Sequence, residues 1–182
     1  MNAIVALSFA ALTASKLDPA LQAQVEARLP IVREWASDAM VVESVREANR
    51  SPRAMHEIER IDIEWQGATG VSSFMRSLID HPAAARLREL RTEHRELQEA
   101  FIIDKVGANV AMTNKTSDFY QGDEEKFREA FAEGKGGTHI GRVLLDESIQ
   151  AYAIQVGVPV MDQGSAIGVL VVTVNVEKLK KQ

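Results

Sequence analysis

Cysteine is absent from the chain, and with it go disulfide frameworks, thiolate metal sites, cysteine nucleophiles and a lipid-modified N-terminal cysteine. That absence does not fix the compartment. A basic excess is missing too: 21 Lys and Arg face 26 Asp and Glu, a formal net charge of −5. A chain that grips nucleic acid carries a clustered basic face instead, so nucleic acid is not an expected partner. No apolar run reaches the roughly 20 residues of a membrane-spanning helix. The segment from Ile4 to Ala14 has the length of a signal-peptide core and ends in small residues, Ala11, Ala14 and Ser15. The basic residues usual before such a core are lacking, because Asn2 and Ala3 are uncharged. Residues 1–15 therefore carry two readings, a signal peptide or an N-terminal helix packed on the domain. What is present is ordinary for a folded protein: 46% apolar and 26% charged residues in a chain of 182 suit one domain with a helical extension.

Residues 18–99 read as helical. Asp18-Pro19 is an N-cap followed by a proline where no helical hydrogen bond is lost. Leu21, Val25, Leu29, Val32, Trp35 and Ala39 recur at three- and four-residue steps, which predicts one long amphipathic helix kinked at Pro30. Ser51-Pro52 repeats the start signal before Ile58, Ile61 and Trp65, and Gly67 to Gly70 breaks that helix. A further piece carries Phe74, Leu78 and Ile79. Another begins near Pro82, with Leu87, Leu90, His94 and Leu97 on one side and Arg86, Arg88, Arg91 and Arg95 among acids on the other. Those charges read as a solvated face.

Residues 100–180 read as strands. Phe101 to Asp104 and Asn109 to Asn114 flank Lys105-Val106-Gly107-Ala108, a hairpin whose glycine supplies a positive φ. After a polar loop, Asp123 caps a short helix from Glu124 to about Glu133, stopped by Gly134. Strands follow over Thr138–Leu145, Ala151–Val160 and Ala166–Val176. Helices followed by ββαβββ make an α+β fold with a five-stranded antiparallel sheet, since parallel neighbours would need a crossover helix between each pair.

Catalytic motifs do not emerge. Gly134 to Gly141 follows a helix instead of opening one, against a phosphate loop, and Gly164-Ser165-Ala166-Ile167-Gly168 lacks the central serine of a nucleophile elbow. His56, His81, His94 and His139 stand singly, without metal-ligand spacing. Asp123-Glu124-Glu125 is accounted for by a helix N-terminus. No enzyme, metal or cofactor is expected.

The distinctive segment is Thr116-Ser117-Asp118-Phe119-Tyr120-Gln121-Gly122-Asp123-Glu124. It is followed by Phe127 to Phe131, Gly136-Gly137, Tyr152 to Val156 with Pro159-Val160, and Ile167 to Leu170. Over about residues 18–180 the chain resembles the Cache family of PAS-like extracytoplasmic sensor domains, closest to single-module, free-standing periplasmic ones. The resemblance implies a PAS-like sheet, a periplasmic or extracytoplasmic setting, and a pocket between the sheet and the loop-plus-short-helix cover. That pocket would take a small metabolite such as a carboxylate or amino acid. The amino-acid-binding subgroup carries an Arg-x-Trp-Tyr run in the short helix and a late Asp in the last strand. Glu124, Lys126, Phe127 and Thr173 occupy those positions here, so the usual amino-acid clamp is missing.

An anionic ligand needs a cation and convergent donors, because burying an unpaired carboxylate costs several kcal/mol. Arg142 and Lys126 are the candidate cations. Tyr120 and Tyr152 offer aromatic walls with hydroxyls, and Ser117, Asp118, His139 and Thr173 complete the polar set. An acid the size of acetate, at a ceiling of about −1.5 kcal/mol per heavy atom, reaches a dissociation constant of tens of micromolar, which suits metabolite sensing. The leading expectation is therefore a non-enzymatic sensor of a small organic acid that signals to a membrane partner. The alternative is a protein-interaction or scaffolding module with a self-filled pocket. In either case the apolar stripe from Leu21 to Ala39 is a candidate homodimer surface.

Overall fold

The computed structural model describes residues 17–180; the candidate signal segment from Ile4 to Ala14 lies outside them. The N-terminal part is helical: α1 (Pro19–Glu26), α2 (Leu29–Ala36), α3 (Ala39–Arg50), α4 (Met55–Gln66), α5 (Ser73–Ile79) and α6 (Pro82–Leu90), with a 3-10 turn at Arg91–Glu93. The sheet then forms from β1 (Leu97–Asp104), β2 (Asn109–Met112), β3 (His139–Ile140), β4 (Leu144–Asp146), β5 (Ala151–Asp162) and β6 (Ser165–Asn175). Helix α7 (Glu125–Phe131) separates β2 from β3, and α8 (Val176–Leu179) follows β6. This is the expected α+β order, with an antiparallel sheet arranged β2-β1-β6-β5-β3 and β4 pairing β5. No helix among the described residues is long and apolar enough to cross a membrane.

Several boundaries differ from the sequence reading. The single long helix is three: Asp18 caps α1 as expected, but the chain turns at Ala27-Arg28, and Asp38 caps α3 with its side chain on the Met40 amide. Pro30 sits in the first turn of α2 instead of kinking a rod. Helix α4 starts at Met55, with no side-chain cap from Ser51. Leu97 is already in β1, and the strand expected over Thr138–Leu145 is split into β3 and β4. Helix α7 ends at Phe131, before Gly134, because Ala132 and Glu133 adopt left-handed conformations. The β1–β2 hairpin is as predicted: Gly107 has φ +89°, and the Asp104 carboxylate accepts the Val106 and Ala108 amides across the turn at 2.9 Å each.

Strand alternation gives the sheet two unlike faces. On one, Ile102, Val156, Val158, Leu170 and Val172 pack with Leu21, Val25, Val32, Trp35, Val41, Val45 and Leu87 from α1, α2, α3 and α6. On the other, Phe101, Ile103, Val169 and Val171 meet Ile58 and Trp65 of α4, Met75 and Leu78 of α5, Phe119, and Phe127 and Ala130 of α7. Gly157 lets α7 lie close on β5: a Cβ there would stand 2.8 Å from the Lys126 carbonyl oxygen.

Candidate functional site

The second face carries the polar groups. Helix α7 turns Lys126 inward, so this cation is only 7% exposed. Its Nζ lies 5.5 Å from the centroid of the Phe101 ring and 3.3 Å from a Glu124 carboxylate oxygen. Burying an ammonium costs several kcal/mol unless opposite charge and ring faces replace water, and here one carboxylate and one ring do so. Beside it stands Asp118, half-buried, which accepts hydrogen bonds from the Ser117 hydroxyl at 3.0 Å and from the Gln121 side-chain amide. Burial pushes the Asp118 carboxyl above the usual carboxylate range, and the charges of Glu124 and Asp62 push the same way. The Ser117 bond and the Lys126 charge oppose it.

The loop from 113 to 124 is held as a cover by groups outside the expected site set. Asp62 of α4 accepts the Phe119 and Tyr120 amides on one oxygen, at 2.7 and 2.9 Å. Trp65 donates its indole N–H to the Thr116 carbonyl at 2.9 Å, and Asn109 donates to the Thr116 hydroxyl at 2.9 Å and the Asp118 carbonyl at 3.1 Å. Asn109 Oδ1 and Gln121 Oε1 are buried without a hydrogen-bond partner. The sequence signal for Asp62 was its place between Ile58 and Trp65 on an amphipathic helix; nothing local said that its acceptor would meet the loop.

The sequence-predicted residues divide into groups. Ser117, Asp118 and Lys126 are gathered around the loop and α7, and Thr173 faces the same side of the sheet, 1% exposed and in register with Glu99 and Gln155. Tyr120 belongs to the loop, but its ring packs on Gly107 and Gly122, where a Cβ would come within 2.9 Å and 2.6 Å of it. Burial raises the Tyr120 hydroxyl above its ordinary value, reinforced by Asp123 and Glu59. His139 is buried on β3 opposite Gly157, on the face covered by α7, with Nδ1 2.8 Å from Glu129. Arg142 is exposed between β3 and β4. Tyr152 is 55% exposed beside Leu145 and, by alternation with Ile154, belongs to the opposite face. A separate cleft of about 370 Å³ opens at the β2 edge, lined by Arg53, Asp104 and Asn109, and Lys126 is not on its wall.

No protein-family model and no curated protein matches the chain. Solved structures do. The sensor domain of E. coli DcuS is 12% identical, with 90% of this chain and 97% of that domain covered at a TM-score of 0.51. The V. cholerae histidine kinase DctB sensor domain is 12% identical over 89% of this chain at a TM-score of 0.46. The chain spans 54% of that structure, about half its length. The sensory domain of the Campylobacter jejuni chemoreceptor Tlp3, with isoleucine bound, is 18% identical, with 91% and 67% covered at a TM-score of 0.41. At these identities the likeness speaks for architecture alone, and the DcuS match carries it. The chain has the fold of the DcuS sensor domain.

Proposed function

We propose that the chain is a small-molecule-binding sensor domain. It takes a small organic anion against the α7 face of its sheet, on the extracytoplasmic side of a bacterial membrane, and passes occupancy to a signalling partner. The observation that carries this reading is the buried Lys126 ammonium, which lies 3.3 Å from a Glu124 carboxylate oxygen. A ligand carboxylate at Lys126 adds charge-assisted hydrogen bonds to this buried cation, and bonds of this kind are the stronger ones. Asp118, with its raised pKa, carries a proton more readily than an exposed aspartate and then donates to the ligand instead of repelling it. Thr173 and Ser117 supply hydroxyls on the same side. Entry runs through the 113–124 loop, by release of the Asp62 bonds to Phe119 and Tyr120.

A melting-temperature screen of small mono- and dicarboxylates, amino acids and amines tests this. An acid at a hundred times its dissociation constant stabilises by about 2.7 kcal/mol, a rise of about 5–10 °C for a domain of this size, and is recovered unchanged. Lys126→Met abolishes the rise. Stabilisation by amines alone, or an unchanged response in Lys126→Met, contradicts the reading. A second reading has its own observation: Trp65, Phe74 and Phe119 stand within 5.5–6.3 Å of one another, centroid to centroid, and fill space beneath the loop. A self-filled interaction module of this kind responds to no compound in the screen.

A further inference from the structure

The charges at the opposite end of β1 are distributed differently from those elsewhere. Over most of the surface arginines meet carboxylates: Arg46 with Asp162, Arg50 with Glu43, Arg53 with Glu57, Arg60 with Glu64 and Arg86 with Asp38. A cleft of about 420 Å³ is lined instead by Arg88, Arg91, Arg95 and Lys178. Among the described residues none of these four side chains forms an ion pair, although the Arg91 charge acts on the Glu99 carboxyl. They come from separate segments, the end of α6, the 3-10 turn, the approach to β1, and α8. Two are pre-set by the backbone: Arg88 donates to the Ile79 carbonyl at 2.9 Å, and Arg91 donates to the Gln98 carbonyl. Each keeps further guanidinium N–H groups for another partner.

Neutral donors complete the wall. Thr92 and Asn114 line the cleft, as does Ser148 from the β4–β5 turn. The carboxylate in the lining is Glu99; it and Asp146 share the Ser148 hydroxyl, at 2.9 and 2.6 Å. Four cations against Glu99 and the adjoining Asp146 leave an excess of positive charge at the cleft in a molecule whose net charge is −5. The volume lies within the range of about 300–1,000 Å³ usual for small-molecule sites. Planar guanidinium forks match carboxylate and phosphate oxygens two at a time, and several such groups on one ligand are needed to balance several cations.

We infer that this cleft is a second binding site, for a small soluble polyanion bearing two or more carboxylate or phosphate groups. It uses none of the side chains placed around Lys126. Citrate and pyrophosphate serve as probes, with acetate as the monovalent control, titrated calorimetrically into the full chain at low salt. Citrate or pyrophosphate binds saturably and acetate does not. Arg95→Glu with Lys178→Glu, both at exposed positions, weakens the polyanion by about tenfold or more, while Lys126→Met leaves it unchanged; added salt weakens it in the unaltered chain. An unaltered melting temperature of the double variant without ligand shows that its fold is intact. Equal affinity in the double variant and the unaltered chain overturns the assignment, as does the absence of saturable binding for both probes. Pelleting with phosphatidylglycerol vesicles that the double variant abolishes, with no binding of free citrate or pyrophosphate, overturns it in favour of a lipid surface. Because Lys126→Met and the double variant disable different sites, failure here is distinguishable from failure of the sensor reading.

Discussion

At the scale of single residues, Lys126 and Asp118 stand side by side, and the titration of Asp118 gives the pair a pH signature. The Asp118 carboxyl is held above its ordinary value chiefly by burial. The folded state therefore binds its proton more tightly than the unfolded state does. Stability from this group is present below the ordinary carboxylate value and is lost as pH rises through the raised folded value. Asp118→Asn removes that slope: melting temperature followed from mildly acidic to neutral pH falls less in the variant than in the unaltered chain, and an identical slope contradicts the assignment. That Lys126 of the short helix and Asp118 of the loop lie side by side follows from the segment order, because the loop runs straight into the helix. Arg142 and Tyr152 stand out in the sequence by residue type, and type says nothing of orientation. Arg142 falls where the expected strand is interrupted, and the strand period puts Tyr152 beside Ile154 on the far face.

At the scale of elements, the cover rests on two devices. One is the Asp62 carboxylate, which holds the loop amides of Phe119 and Tyr120. Asp62→Ala leaves both without that acceptor, and a loss of about 2–3 kcal/mol in urea unfolding is expected from bonds to a charged group. The other is Gly157, which admits α7 against β5. Gly157→Val drives side-chain atoms at the Lys126 carbonyl, where a Cβ alone would already stand 2.8 Å away, and costs about 1–3 kcal/mol as overpacking does. Either variant unfolding with the stability of the unaltered chain contradicts these roles. The hairpin at Gly107 and the strands β5 and β6 were readable because alternation and turn residues are local signals. The division of the first helix into three was not, since the apolar stripe from Leu21 to Ala36 keeps its period across the break at Ala27-Arg28. Asp38 at the next boundary was a readable cap that the period obscured.

At the scale of the whole molecule, one sheet separates two unlike layers. Its first face is closed by α1, α2, α3 and α6 over a continuous aliphatic core, while the second carries the polar groups beneath the loop and α7. Strand β6 pairs with both β1 and β5 and runs directly into α8, so it joins the side facing Lys126 to the C-terminal end of the described chain. Ligand binding is then expected to slow amide exchange in 113–126 and in β6 more than in α1 to α3; uniform protection contradicts that route. The central claim is that a small acid sits at Lys126, and an electron-density map of the protein with the best-stabilising acid tests it most directly. The account predicts a carboxylate within hydrogen-bonding distance of Lys126 Nζ, between Phe101 and the Asp118–Gln121 loop. An acid seated elsewhere, or Trp65 and Phe119 closed over that space with no ligand under saturating acid, would contradict it.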